Sequence, residues 1–207
     1  MVRQTCLTIL DILMNATATP IDKRQQIVEV AYALFKASGF HATGIDKIIA
    51  EARVAKMTMY RHFPSKDELI VAVLGYRTEL FEAQLDRLAA KAVTPSQKIG
   101  TVFDWYERWF QSPEFHGCLF AHALAEFGDG DHPVFKAVEG HKNGFKQRLR
   151  RILLEERPAD QAESAATVLF MLFEGATLLA QMGQGDAAIR DVRMAAGSLL
   201  TMSDHRP

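Results

Sequence analysis

Residues 43 to 69, Thr43-Gly-Ile-Asp-Lys-Ile-Ile-Ala-Glu-Ala-Arg-Val-Ala-Lys-Met-Thr-Met-Tyr-Arg-His-Phe-Pro-Ser-Lys-Asp-Glu-Leu69, read as two short helices joined by a tight turn and followed by the capped start of a third. In the first helix Ile45, Ile48, Ile49 and Ala52 recur at i, i+3, i+4 and i+7, which gives it one apolar face to bury. The second, Ala55 to His62, is too short to hold its shape alone. Met59 and Phe63, four apart, anchor its inner side and leave Lys56, Thr58, Tyr60, Arg61 and His62 outward. A short basic helix propped by a partner is what entry into a DNA major groove requires.

The remainder of the chain carries helical periodicity and no strand pattern, so the fold is expected to be all-α, with about nine helices. A first helix runs from about Asp22 to Ser38 and stops at Gly39. Thr43 is placed to cap the second. Ser65-Lys-Asp-Glu68 forms a capping box that launches a long fourth helix to about Ala92, which would link reading head and body. Thr94-Pro95 opens a fifth, to about Gln111. Further helices are expected over Gly117 to Phe127, Pro133 to Glu156, Pro158 to Gly183 and Ala187 to Met202. The eighth is apolar almost all round, at Val168, Leu169, Met171, Leu172, Phe173, Leu178, Leu179 and Met182, so it must be buried on more than one side.

The stretch Thr58-Met-Tyr-Arg-His-Phe-Pro-Ser-Lys-Asp-Glu-Leu69, with the preceding helix Ile27 to Phe40 and its glycine stop, resembles the N-terminal domain of TetR-family transcriptional regulators. The resemblance covers roughly the first third of the chain. It implies that Lys56, Met57 and Thr58 contact base edges, that Tyr60, His62 and Lys66 contact phosphates, and that Thr43 binds a phosphate through its hydroxyl. Arg61 adds positive charge to the same surface. Two positions depart from the family pattern: Arg53 stands where the turn usually has glycine, and Ala55 where it usually has a serine cap. An arginine held at positive φ costs on the order of 1 kcal/mol, which a phosphate contact by Arg53 would offset. The division expected is an N-terminal extension over 1–20, mobile or an over-long start with Met14 as initiator, a DNA-binding domain over 21–66, and an effector-binding and dimerisation domain over 67–207.

Charge placement agrees with that reading. The chain's formal net charge is -1, yet Lys47 to Lys66 holds five basic residues against one acidic, a local +4 that leaves -5 for the rest. Polyanion affinity is thereby confined to one patch. Cys6 and Cys118 make neither a zinc spacing nor a disulfide framework, which suits a reducing cytoplasm. The apolar run Cys6 to Met14 is interrupted by Asp11 and is too short to span a bilayer, so no membrane anchor is expected; a signal peptide is the poorer reading. No nucleophile elbow, phosphate loop, metal motif or compact carboxylate pair is present, which argues against an enzyme and gives no reason to expect a cofactor.

The fifth helix concentrates Phe103, Trp105, Tyr106, Trp109 and Phe110, and both tryptophans of the chain are among them. Each ring alone reads as core. Together with Phe120, Phe127, Met171 and Phe173 they are candidates for an apolar pocket, and the resemblance implies an effector pocket in this body, for a flat or lipophilic ligand of unknown identity. Cys118 and His122, four apart, share a helix face, with readings as core, pocket wall, redox sensor or an incomplete metal site. The resemblance further implies a homodimer in which the last two helices pair with their copies, through Leu172, Leu179, Ile189 and Val192, so that two heads read a near-palindromic operator in double-stranded DNA. The rival reading is a dimeric helix-turn-helix protein without a small effector, controlled by a protein partner or by Cys118.

Overall fold

The computed structural model describes residues 22–201, which form nine α-helices and no strand. The expectations placed on residues 1–20, Cys6 included, and on Met202 lie outside the described residues. Three short N-terminal helices, α1 (Lys23–Ser38), α2 (Ile45–Glu51) and α3 (Lys56–His62), make the head. The body comprises α4 (Lys66–Ala89), α5 (Pro95–Phe110), α6 (Leu119–Glu126), α7 (Pro133–Leu153), α8 (Ala159–Gln181) and α9 (Gly185–Thr201). Local chemistry sets the starts. Asp22 accepts from the Arg24 amide, Ser65 from Glu68, and Thr94 with Gln97 closes a reciprocal capping box ahead of Pro95.

The second helix starts differently from the sequence expectation. Gly44, and not Thr43, is its N-cap. Thr43 is wholly buried and its hydroxyl donates to the Gly39 carbonyl at 2.8 Å, closing the connection between α1 and α2 from inside. Threonine is a small polar side chain that can satisfy a turn carbonyl in a place water cannot reach.

Two hydrophobic cores result. In the head, Ile27, Ala31, Phe35, Phe40, Ile48, Met59 and Phe63 pack with Leu69, Ile70 and Val73 of α4 and with Phe120 and Ala123 of α6. In the body, Phe81 and Leu85 of the same α4 pack with α5, α7, α8 and α9. Helix α4 therefore belongs to both cores, and α6 bears directly on the head. Helix α8 is long and apolar enough to cross a membrane by length and composition, but Leu169, Phe173 and Ala176 are buried in the body core.

Candidate nucleic-acid interface and effector cavity

Helix α3 is held from beneath by Met59 and Phe63, both buried, and the Arg24 guanidinium lies 5.2 Å from the Phe63 ring centre. That anchoring turns Lys56, Met57, Tyr60 and Arg61 outward. Met57 is 81% exposed, a large apolar side chain offered to a partner at the front of the helix. Thr58, His62 and Lys66 are half-buried beside them. Lys56 lies 3.6 Å from Asp46, an exposed pair that water screens and DNA can displace.

The turn feeding α3 uses the two residues that depart from the family pattern. Arg53 has φ 49°, the only positive φ outside glycine among the described residues. Its amide donates to the Ala50 carbonyl and the Val54 amide to the Ile49 carbonyl, the paired bonds of a Schellman helix end, with Val54 and Ile49 both apolar. Gln26 of α1 satisfies the Ala52 carbonyl at 2.9 Å. These bonds hold arginine in a conformation that glycine would adopt without strain. Ala55 is the N-cap of α3 and offers no side-chain hydrogen bond. The Thr58 amide donates to the Ala55 carbonyl at 2.9 Å, and the Lys56 and Met57 amides ahead of it receive no side-chain cap.

One carboxylate of the body makes three hydrogen bonds to the head. Glu126, the last residue of α6, accepts from the Phe40 amide at 2.9 Å, from the His41 amide at 2.6 Å and from His41 Nδ1 at 2.5 Å. Burial alone would raise the Glu126 pKa, but the two amides and the imidazole hold it below the usual carboxylate range. Gly39 leaves room for this contact: a Cβ there would stand 3.1 Å from Glu126 Oε1, at a φ of 81° that side chains avoid. Phe127 stacks on His41 at 4.8 Å and on His132 at 5.0 Å, so it belongs to this junction and not to a pocket.

Helices α4, α5, α7, α8 and the start of α6, with Tyr32 and Lys36 of α1, line a cavity of about 430 Å³. Its aromatic wall includes Phe81, Trp105, Tyr106, Trp109, Phe120 and Phe145, and Cys118 lines it as well. Trp105, Tyr106, Trp109 and Cys118 thus stand where the sequence reading put them. Three other candidates do not. Met171 is 57% exposed on the outer face of α8; Phe173 is fully buried behind the wall, stacked on Tyr106 at 4.4 Å; His122 meets Gln181 at 3.0 Å, outside the cavity. All three errors come from rotation about a helix axis, where a shift of one residue moves a side chain by about 100°.

The cavity also holds charged groups that the sequence reading missed. Lys142 Nζ bonds both Glu174 carboxylate oxygens at 2.6 Å and lies 3.5 Å from Cys118 Sγ. His141 stacks flat on Phe120, 3.5 Å between ring centres, and its Nδ1 lies 3.1 Å from the Thr78 hydroxyl. Burial, with Lys142 and Arg77 nearby, pushes the His141 pKa down to about 3, so the ring is neutral. Burial, reinforced by Glu174 and Cys118, pushes the Tyr106 phenol well above its usual range and keeps its proton on. The available signal was a polar residue breaking the apolar face of a buried helix, as Arg77, His141 and Glu174 do.

The surface of α8 differs from expectation too. Ile189 and Val192 are buried, Ile189 at 3%, in the chain's own core, so they are not outward positions on α9. The exposed apolar stripe is instead Met171 and Leu178, at i and i+7 of α8, continued by Met182 at its C-cap, with Leu179 beside it and Met194 on α9.

The comparisons with known proteins agree with this geometry. Residues 27–73 match the model described as bacterial regulatory proteins of the tetR family, and residues 95–196 that described as the tetracyclin repressor-like C-terminal domain. The crystal structure of a TetR-family transcriptional regulator from Streptomyces coelicolor is similar with a TM-score of 0.80 at 30% identity, over 86% of this chain and 94% of that one. The chain belongs to the TetR family. As a TetR-family member it is a DNA-binding transcriptional regulator, built from a helix-turn-helix head and a helical body. It is 35% identical over 78 residues to the HTH-type transcriptional repressor KstR of Mycolicibacterium smegmatis, a match of 38% of this chain to 38% of KstR. The chain thus spans well under half the length of that relative. It is 26% identical over 164 residues to the HTH-type transcriptional regulator LmrA of Bacillus subtilis, covering 76% of this chain and 86% of LmrA.

Proposed function

We propose that this TetR-family regulator is a dimeric repressor released from a near-palindromic operator by a small effector bound in the body, acting in the cytoplasm. The observation that carries the reading is the position of α6. Its first turn, Leu119 and Phe120, lines the cavity, and its last residue, Glu126, holds the loop between α1 and α2. Occupying the cavity displaces one end of a rigid eight-residue helix whose other end sets the tilt of the head. A ligand acts only through its preference for one head position, and a hundredfold loss of DNA affinity needs about 2.7 kcal/mol of coupling. The effector-free rival has no use for a cavity in a domain that serves only to dimerise.

In this reading residues 21–66 read DNA and 67–207 bind effector and partner subunit, with α4 shared between them. Lys56, Met57 and Thr58 face the base edges; Tyr60, His62 and Lys66, with Arg53 and Arg61 at the margins, face phosphates. Thr43 has no part in it, because its hydroxyl is spent on a backbone carbonyl inside the head. KstR is named a repressor, which supports that direction of control.

The test is binding to the DNA upstream of its own gene, with and without a panel of aromatic compounds. Release by a compound that also binds less tightly in the presence of saturating operator is the expected result. A compound that releases DNA yet binds equally well with and without operator would overturn the coupling. Lys66→Ala should lower the slope of log affinity against log salt by about 1 per subunit, while Thr58→Ala should relax sequence preference instead.

A further inference from the structure

The cavity is lined by five cationic side chains against two carboxylates. Two of the cations are neutralised within the wall: Lys142 on Glu174 at 2.6 Å, and Lys36 on Glu114 at 3.2 Å. Arg77 is not. Its guanidinium lies over the rings of Phe81 and Trp105, 5.8 and 5.6 Å from their centres, and no carboxylate pairs with it among the described residues. A planar cation stacked on the cavity's own rings keeps its five N–H donors free along the edge.

Two further polar groups face the same space. Tyr106 is only 5% exposed, and its hydroxyl has no hydrogen-bond partner among the described residues. It is the donor a buried acceptor would meet. His141 is the other. The single hydrogen of the Thr78 hydroxyl is committed to the Leu74 carbonyl at 3.0 Å, so His141 Nδ1 donates to Thr78 and Nε2 is left as an acceptor. Arg77, Tyr106 and His141 all line this one cavity.

We propose that the cavity takes a flat aromatic carboxylate, its anionic group held by Arg77 and the Tyr106 hydroxyl and its rings lying among Trp105, Trp109 and Phe120. This rests on the effector reading above and narrows it to one ligand class. An aromatic cation would meet the surplus positive charge. A neutral aromatic would strip water from Arg77 and give it no acceptor, the costly way to bury a charge. A carboxylate supplies both missing partners at once, in charge-assisted bonds to a planar fork that matches its geometry. The volume, about 430 Å³, lies within the range of small-molecule sites, roughly 300–1,000 Å³.

The experiment uses the full-length protein and three probes that share one ring system: naphthalene-2-carboxylate, its neutral carboxamide and the cationic naphthalen-2-ylmethylamine. Calorimetry at neutral pH should give the carboxylate at least about a tenfold advantage over the carboxamide. Arg77→Met should abolish that advantage and leave the carboxamide affinity unchanged, which also shows that the variant is folded. Equal affinity for carboxylate and carboxamide, tighter binding of the amine, or no binding by any probe would overturn the proposal. The effector reading fails separately: the carboxylate would then bind as expected, yet the affinity for the DNA upstream of the gene would not change.

Discussion

Arg53 and His141 each sit in a state their chemistry resists, and each gives a measurable consequence. A left-handed conformation costs a side-chain-bearing residue about 1–2 kcal/mol, and glycine in the unfolded chain gives back about half of any gain. Arg53→Gly should therefore stabilise the protein by about 0.5–1 kcal/mol in urea denaturation, and destabilisation would show that the turn needs the arginine side chain itself. His141 is neutral down to a pKa of about 3, whereas an unfolded chain protonates its histidines near 6.5. Between those values the unfolded state binds the extra proton. The stability that this group contributes is fully present above pH 6.5 and is lost as pH falls, with a slope of at most about 1.4 kcal/mol per pH unit, less in proportion to its partial exposure. His141→Phe keeps the stack on Phe120 and should flatten the fall in stability between pH 6.5 and 4. Parallel curves for the two proteins would rule out a buried neutral His141.

At the scale of helices, what the sequence makes readable is what depends on neighbours along the chain. The caps at Ser65 and Thr94, the stop at Gly39, and the inward anchors Met59 and Phe63 all rest on contacts within a few residues and stand as read, except that the reciprocal box closes at Thr94 and at Ser65 only the serine half is made. What was misread depends on how far each helix is rotated in the assembled body. Met171 and Phe173 lie on the nearly all-apolar α8, where periodicity gives no single inward direction, whereas Ile189 sits on the apolar face of the amphipathic α9, which packs into the chain's own core. Arg77, His141 and Lys142 became a site only through packing of α4 against α7 and of α7 against α8. The junction at Glu126 is of the same kind, since 85 residues separate it from His41. Glu126→Gln keeps the shape but loses the charge and one acceptor, so it should cost about 1–2 kcal/mol of stability. It should also weaken the effect of a bound probe on DNA affinity more than it weakens DNA binding itself. Unreduced coupling in that variant would remove α6 as the link between cavity and head.

The whole molecule presents one short recognition helix of seven residues, which contacts too few bases to select a site alone. Two heads about one DNA turn apart, roughly 34–36 Å, would double the readout and require a near-palindrome. The surface that can join two copies is the stripe of Met171 and Leu178 on α8 and Met182 at its C-cap, each more than half exposed in a single chain. Leucine and methionine in a row on one helix are poorly placed facing water, and a two-fold partner offering the same stripe removes both from solvent. Leu178→Glu should give a folded monomer at micromolar concentration, visible by sedimentation, with unchanged helical circular dichroism. Ile189→Asp should unfold the body instead, because it buries a charge among Phe103, Leu169 and Phe173 without a partner. A monomer made this way keeps its head but reads one half-site, so its operator affinity should fall steeply while weak, salt-sensitive binding to any DNA remains. If Leu178→Glu stays dimeric, the interface lies elsewhere on α8 and α9. If it becomes monomeric and still holds the operator as tightly as before, the two-headed reading itself is wrong.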